Sequence, residues 1–183
     1  MLPWRNYPHT YMSELDQLWS QMLDEALASA RDSGRHDVVD YLDLKARNDA
    51  LRNAGVRWLF ESLIGIAGEA TRQYSAITID REEPHNFPHR GANLAGSLLV
   101  FSLGVRCLKV EAGWTRTPAD GFMRGGALAV AKVSHFGLAN MNAELHLKPA
   151  ESSPGWVAYY ADGASMPVDE SFLRRHFAIF MGK

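Results

Sequence analysis

The chain has 183 residues, of which 46% are hydrophobic and 22% are charged, a composition typical of a globular protein rather than a disordered or membrane-embedded one. Its formal net charge of -2 argues against a dedicated nucleic-acid binder, because such proteins usually carry a surplus of basic residues. Cys107 is the only cysteine, so no intramolecular disulfide can form, and no stretch has the length of a signal peptide's apolar region or of a membrane span. We therefore predict a cytoplasmic protein that does not enter membranes.

Apolar residues recur at steps of three and four through the first third of the chain, which predicts helices. Three are expected, over residues 13–31, 37–53 and 56–74. The second is predicted to end at Gly55, because glycine commonly follows the last turn of a helix. Gly65 and Gly68 weaken the third helix intrinsically, and we interpret them as places where another backbone approaches closely.

From residue 76 the sequence changes to alternating, β-branched segments, which predict strands. Six are expected, over residues 77–82, 93–102, 105–114, 127–136, 143–148 and 156–160, with a closing helix over 168–181. The result is an α+β fold in one domain, 1–183, whose helical part covers about 13–74 and whose curved, mostly antiparallel sheet covers about 76–161. Helices are expected to pack on one face of the sheet.

The segment 84–91, with two prolines and two histidines, is predicted to be a rigid loop. Its histidines, His85 and His89, and the carboxylates just before them are the residue types that bind zinc. Side chains four residues apart are expected to project together only on a helix, and this segment is predicted to be a loop. We therefore predict that the two histidines hydrogen-bond to the backbone and do not form a metal site. Their place, with Arg90, is expected to be the rim of a pocket.

A second candidate covers residues 111–126, where the chain leaves one strand and returns in another. Arg116 and Arg124, beside the backbone amides of a glycine pair, are suited to holding a carboxylate or phosphate. Glu111 and Trp114 open this segment. The alternative is a structural connection in which Trp114 fills the core and Arg116 pairs with Asp120.

His135 and Ser134 are neighbours on a predicted strand, so their side chains point to opposite faces and cannot form a nucleophile–base pair. His135 shares its face with apolar residues, which favours a hydrogen-bonded core histidine. It would become a catalytic candidate only if Glu111 or His85 came close to it.

The last helix combines acidic residues in its first turn with aromatic residues at helical spacing. Residues 177–181 are apolar on nearly every side, and a symmetric homodimer would cover the face that does not pack inward. A tail tucked entirely into its own sheet is the equally weighted alternative.

These observations predict a non-catalytic binding domain for a small anionic molecule or a protein segment, with its site between sheet and helices. The predicted ligand-binding residues are His85, His89, Arg90, Glu111, Trp114, Arg116, Arg124 and His135. A hydrolase using His85, His89, Glu111 or His135 as acid, base or metal ligand is one alternative, and a self-associating structural or regulatory subunit is another. The sequence identifies no cofactor.

Overall fold

A computed structural model of the chain describes residues 14–73, 77–150, 154–160 and 163–183. The chain forms two compact units, Met1–Asp49 and Ala50–Lys183. That it forms one domain stays a prediction, and the expected limits at residues 13, 74, 76 and 161 lie outside the described ranges. No helix in those ranges combines the length and the apolar character needed to cross a bilayer.

The first unit is helical where it is described. Helix α1 (Glu14–Asp32) ends in a turn at Gly34, whose φ of 68° is left-handed and therefore suits glycine. Helix α2 (His36–Gln73) begins in this unit and continues into the second. An ion pair of 2.8 Å joins Lys45 and Asp49, which lie one turn apart on α2 and are both half-buried.

The prediction of two helices separated at Gly55 is wrong, because α2 runs through that position without a break. Gly55 is buried there, and its carbonyl accepts a hydrogen bond of 2.9 Å from the indole nitrogen of Trp156. A Cβ at this position would lie 2.6 Å from the side chain of Leu147, so the glycine permits close packing rather than ending the helix. The close approach expected at Gly65 and Gly68 is also wrong, because open space surrounds both.

The second unit contains a single sheet in which every neighbouring pair of strands is antiparallel and the spatial order follows the sequence. Its strands are β1 (Thr78–His89), β2 (Ala92–Leu103), β3 (Arg106–Trp114), β4 (Ala129–His135), β5 (Ala143–Lys148), β6 (Gly155–Tyr159) and β7 (Ser165–Pro167). The α+β class and the curved antiparallel sheet are confirmed. The seventh strand, which was not predicted, is three residues long and ends at Pro167.

The predicted loop at 84–91 is wrong, because β1 extends to His89. β1 is an edge strand, where a proline is tolerated because the missing N–H need not pair with a neighbour. The register shifts between Glu82 and His85, so the irregularity that Pro84 demands is confined to a bulge. Beyond the bulge, His85, Phe87 and His89 share one face of the strand.

One face of the sheet packs against the second unit's helical elements, which are α2 from Ala50 onward and α3 (Glu170–Met181). Their apolar residues form a hydrophobic core with those of the sheet, and the ligand site had been expected between these two layers. Asp169 caps α3 by accepting a hydrogen bond of 2.9 Å from the backbone N–H of Phe172. Most of the aromatic face of α3 is buried within this chain, while Ile179 and Met181 are half-buried. The homodimer through this helix stays a prediction.

The sheet is curled, and glycines permit close approach of its backbones. Gly96 of β2 pairs with Gly113 of β3, and a Cβ on Gly96 would lie 2.0 Å from the carbonyl oxygen of Ala112. A Cβ on Gly113 would lie 3.1 Å from the ring of Phe87 on β1. The absence of these side chains lets the end of β1 lie over the face opposite the helices, and that approach forms the site described next.

Candidate functional site

A small cavity lies on the face of the sheet that points away from the helices. Val130 and His146 line it, whereas their strand neighbours Ala131 and Leu145 face the core. Its volume is about 20 Å³, which is room for one water-sized occupant. The residues that line it come from the end of β1 and the turn after it, from β2, β4 and β5, and from the loop after β3. They are His89, Arg90, Ala92, Leu94, Phe122, Met123, Val130 and His146.

Three side chains of metal-ligating type meet beside this cavity: His89 from the end of β1 and His146 from β5, which line it, and Glu144 from β5. One ligand atom from each lies within 4.8 Å of the other two. The Glu144 carboxylate is 2.6 Å from Nε2 of His146 and 3.8 Å from Nε2 of His89. Glu144 and His146 share a face because they are two residues apart on a strand. His89 lies four strands away in the sheet order, so only the curl of the sheet brings it here.

Arg90 completes the polar side of the cavity, with its guanidinium 3.0 Å from the Glu144 carboxylate. Burial acts to raise the pKa of Glu144, but the hydrogen bond from His146 and the nearby charges of His89 and Arg90 outweigh it and hold the pKa below its ordinary value. Burial lowers the pKa of His89, against the opposing effect of Glu144. At neutral pH the carboxylate is therefore ionised and the His89 imidazole is neutral.

A small apolar cluster lies on the same face and fixes the position of the β1–β2 turn. Phe87, Leu94 and Val130 are buried together, and Met123 from the loop after β3 packs against them. Lys132 lies 5.3 Å from the centre of the Phe87 ring and donates a hydrogen bond to the carbonyl of Pro88. These contacts tie the end of β1 to β4 and so hold His89 at the cavity.

His85 and Glu111, two other predicted site residues, form a separate pair on this face. Nε2 of His85 is 2.9 Å from the Glu111 carboxylate, and its Nδ1 is 3.2 Å from Glu82. Lys109 also reaches Glu111, at 2.8 Å. Burial acts to raise the pKa of Glu111, but the hydrogen bonds from Lys109 and His85 lower it below its ordinary value. Both histidines of β1 thus contact carboxylates, and the prediction that they bond to backbone is wrong.

Trp114 and Arg116 lie away from this cavity. Trp114 is 4% exposed and belongs to the core between sheet and helices, and the Arg116 guanidinium stacks 4.0 Å from its ring centre. Asp120 accepts hydrogen bonds of 2.9 Å from both the backbone N–H and the hydroxyl of Thr117. Arg124 begins a short 3-10 helix, and its side chain lies outside the described part of the structure. The anion-binding roles of Arg116 and Arg124 stay predictions.

His135 lies on the core face, as the alternation predicted, and approaches neither Glu111 nor His85 within hydrogen-bonding distance. Its Nε2 is 2.9 Å from Nδ1 of His176 on α3, and the two rings stack at 18° with centres 5.2 Å apart. Burial lowers the pKa of His135. For His176, burial together with the charges of His135 and Arg175 lowers the pKa to about 4. The pair therefore joins sheet and helix in its neutral form.

Sequence reasoning missed Glu144, His146 and His176. The strand over 143–148 was predicted with the bounds that the structure has, and its alternation already placed Glu144 and His146 on one face. A carboxylate and an imidazole two residues apart on a strand were thus a detectable sign of a ligand pair. Nothing local in the sequence pointed to their approach to His89.

The chain matches no protein-family model, no curated protein and no solved structure.

Proposed function

We propose that this chain is a binding domain that holds one divalent transition-metal ion, of which zinc fits best, through His89, Glu144 and His146. The observation that carries the proposal is the convergence of these three ligand atoms within 4.8 Å of one another beside a cavity. An ion bonded tetrahedrally at about 2.1 Å holds its ligand atoms about 3.4 Å apart. The separations of 2.6 and 3.8 Å from Glu144 lie on either side of that value, and the limit of 4.8 Å for the whole group lies above it, so the side chains must draw together to bind an ion.

The chemistry of the ligands favours zinc and its neighbours over magnesium or calcium. Two imidazole nitrogens and one carboxylate oxygen suit zinc, cobalt, nickel and copper, whereas magnesium and calcium prefer oxygen ligands. All three side chains are at least three-quarters shielded from solvent, which protects an ion from competing water. The low pKa of His89 leaves its nitrogen lone pair available at neutral pH.

Binding is favoured over catalysis by the residues that surround the cavity. Among the described lining residues, none is a serine, a cysteine or a further carboxylate, so a nucleophile or general base besides the three ligands is lacking there. The observation that favours a hydrolase is the ligand set itself, because three protein ligands leave one position for an activated water. Hydrolysis of p-nitrophenyl acetate or bis(p-nitrophenyl) phosphate by zinc-loaded protein, lost in Glu144→Gln, would establish that alternative.

The metal proposal is tested by zinc titration of the full chain after removal of metal with a chelator, followed by competition with a chromophoric chelator. We expect one equivalent to bind, and each of His89→Gln, Glu144→Gln and His146→Gln to weaken binding by at least about 10-fold. Circular dichroism shows whether each variant is folded.

The matched control for this titration is His85→Gln, because His85 lies on the same strand face, has similar burial and also contacts a carboxylate. Its zinc affinity should equal that of the wild type. Absence of zinc binding, or an equal loss in His85→Gln and His146→Gln, would refute the proposed site.

Three sequence-based expectations accompany this proposal as hypotheses. A protein segment is a second candidate ligand, since Phe122 beside the cavity is 81% exposed. Homodimer formation through α3 is tested by ultracentrifugation of the intact chain against one ending at His176. A cytoplasmic location still rests on the single cysteine, which is free.

A further inference from the structure

The turn between β1 and β2 contains an arginine where the backbone favours other residues. Arg90 has a φ of 46° and Gly91 a φ of 85°. A two-residue hairpin turn with positive φ at both positions normally carries Asn-Gly or Asp-Gly, because these residues tolerate the left-handed region. In the described ranges Arg90 is the only non-glycine residue with a positive φ. Strain of this kind persists only where the surrounding structure enforces it, and strained residues cluster at active sites and ligand clamps.

The side chain of Arg90 extends from this turn over the cavity. Its guanidinium contacts Glu144 at 3.0 Å, yet the side chain remains 56% exposed, so part of its planar donor set faces solvent. Arginine presents five N–H donors in a fixed fork, and one carboxylate oxygen uses only a fraction of them. The remaining donors are available to a second anion at the mouth of the cavity.

The charge around the cavity changes when a divalent ion binds. Glu144 is the single carboxylate among the three proposed ligands, whereas Arg90 and Lys132 both act on His89 as nearby positive charges. The ion together with these two cations outweighs the one carboxylate. A site left with such a positive excess attracts an anion.

The size of the cavity limits what can reach the ion. About 20 Å³ is room for one water-sized occupant between Leu94, Val130 and Met123, so a ligand can insert only one of its oxygen atoms. A carboxylate meets this limit because it is planar and can place one oxygen on the ion and the other against a guanidinium. A tetrahedral phosphate lacks this flat shape, because its oxygens project on every side of the phosphorus.

We infer that the ligand of this domain is a small carboxylate anion, bound with one oxygen on the metal ion and the other on Arg90. The inference rests on the proposed metal site. In this inference the arginine that recognises the anion is Arg90, whereas Arg116 stacks on Trp114 away from the cavity. No covalent step is involved, since the carboxylate displaces water from the ion and leaves unchanged.

The test uses cobalt in place of zinc, because the visible absorption of protein-bound Co²⁺ responds to a change of ligand. The full chain is loaded with one equivalent of Co²⁺ and titrated with acetate and, separately, with inorganic phosphate. We expect a saturable spectral change with acetate at concentrations at least about 10-fold below those at which phosphate acts.

Three variants assign the effect to Arg90. At saturating Co²⁺, Arg90→Asn should lose the acetate response by at least about 10-fold and, because Asn suits the turn, raise the melting temperature. Arg90→Lys should respond between wild type and Arg90→Asn. Arg116→Gln, the matched arginine control, should respond as the wild type does.

The outcomes separate the two proposals. Failure to bind Co²⁺ at all refutes the metal site and this inference with it. Tight Co²⁺ binding with no acetate response, with a stronger response to phosphate, or with a response that survives in Arg90→Asn refutes the carboxylate inference alone.

Discussion

Acidification is expected to weaken the fold through the buried pair His135 and His176. His176 is 7% exposed and has its pKa lowered to about 4, whereas an unfolded chain has a histidine pKa of about 6.5. Between these two values the unfolded state binds more protons than the native state, so the free energy of unfolding falls as the pH falls. The stabilisation that comes from neutral His176 is fully present above about pH 6.5. Below about pH 4 this group causes no further fall in the free energy of unfolding.

The magnitude follows from the difference of the two pKa values. For one histidine the loss relative to pH 7 is about 2 kcal/mol at pH 5 and about 3 kcal/mol at pH 4. His135 adds to this loss in the same direction, because burial lowers its pKa too. Urea unfolding followed by circular dichroism at pH 7, 6, 5 and 4 measures the total, which also includes carboxylates.

The contribution of His176 is isolated by His176→Gln, whose stability should fall less steeply than that of the wild type between pH 6.5 and pH 4. His36→Gln is the control, because His36 is an exposed residue at the start of α2, and its curve should parallel the wild type. Equal slopes for wild type and His176→Gln would refute the conclusion that His176 is neutral in the native state.

Three further substitutions test the packing of α2 by urea unfolding at pH 7. In Gly55→Ala the added Cβ would collide with Leu147, which should destabilise the protein by roughly 1–3 kcal/mol. The better helix propensity of alanine offsets about 1 kcal/mol of this loss, and a net gain in stability would contradict the collision. Gly65→Ala, in open space on the same helix, should instead stabilise by roughly 0.5–1 kcal/mol, and a loss would show a contact that the structure lacks. Trp156→Phe removes the donor to the buried Gly55 carbonyl and should cost about 1–3 kcal/mol, whereas an unchanged stability would show that this bond contributes nothing.

The parts of the fold that sequence predicted well are those with strong local patterns. Strand β5 has the predicted bounds, and β3 differs by one residue at its start, because alternating side chains on a half-buried surface leave little ambiguity. Helix α3 was expected to begin two residues early, since its cap, Asp169, was counted within the first turn.

The errors occurred where tertiary packing overrode a local signal. Glycine is typical of a helix end, but Gly55 lies inside a continuous helix. Leu147 and Trp156, about one hundred residues away in sequence, pack so closely there that a side chain would collide with Leu147. Pro84 and Pro88 suggested a loop, but they lie on an edge strand that has no neighbour on its outer side.

The candidate site differs from the predicted one in its place. His85, His89 and Arg90 were expected at the rim of a pocket between sheet and helices, whereas His89 and Arg90 line a cavity on the opposite face and His85 does not line it. From the sequence, a metal site was set aside because only the binding of one ion by residues 85 and 89 together was considered, whereas His85 pairs with Glu111 and His89 lies near Glu144. The approach of His89 to β5 depends on the curl of the sheet, and no local pattern in the sequence encodes that distance.

The central claim is tested most directly by a crystal of the full chain grown or soaked with zinc, with diffraction recorded on both sides of the zinc absorption edge. The anomalous difference map should show one strong peak about 2.1 Å from Nε2 of His89, Nε2 of His146 and a carboxylate oxygen of Glu144. A map without a peak in the cavity, or with its strongest peak between His85 and Glu111, would contradict the proposed metal site.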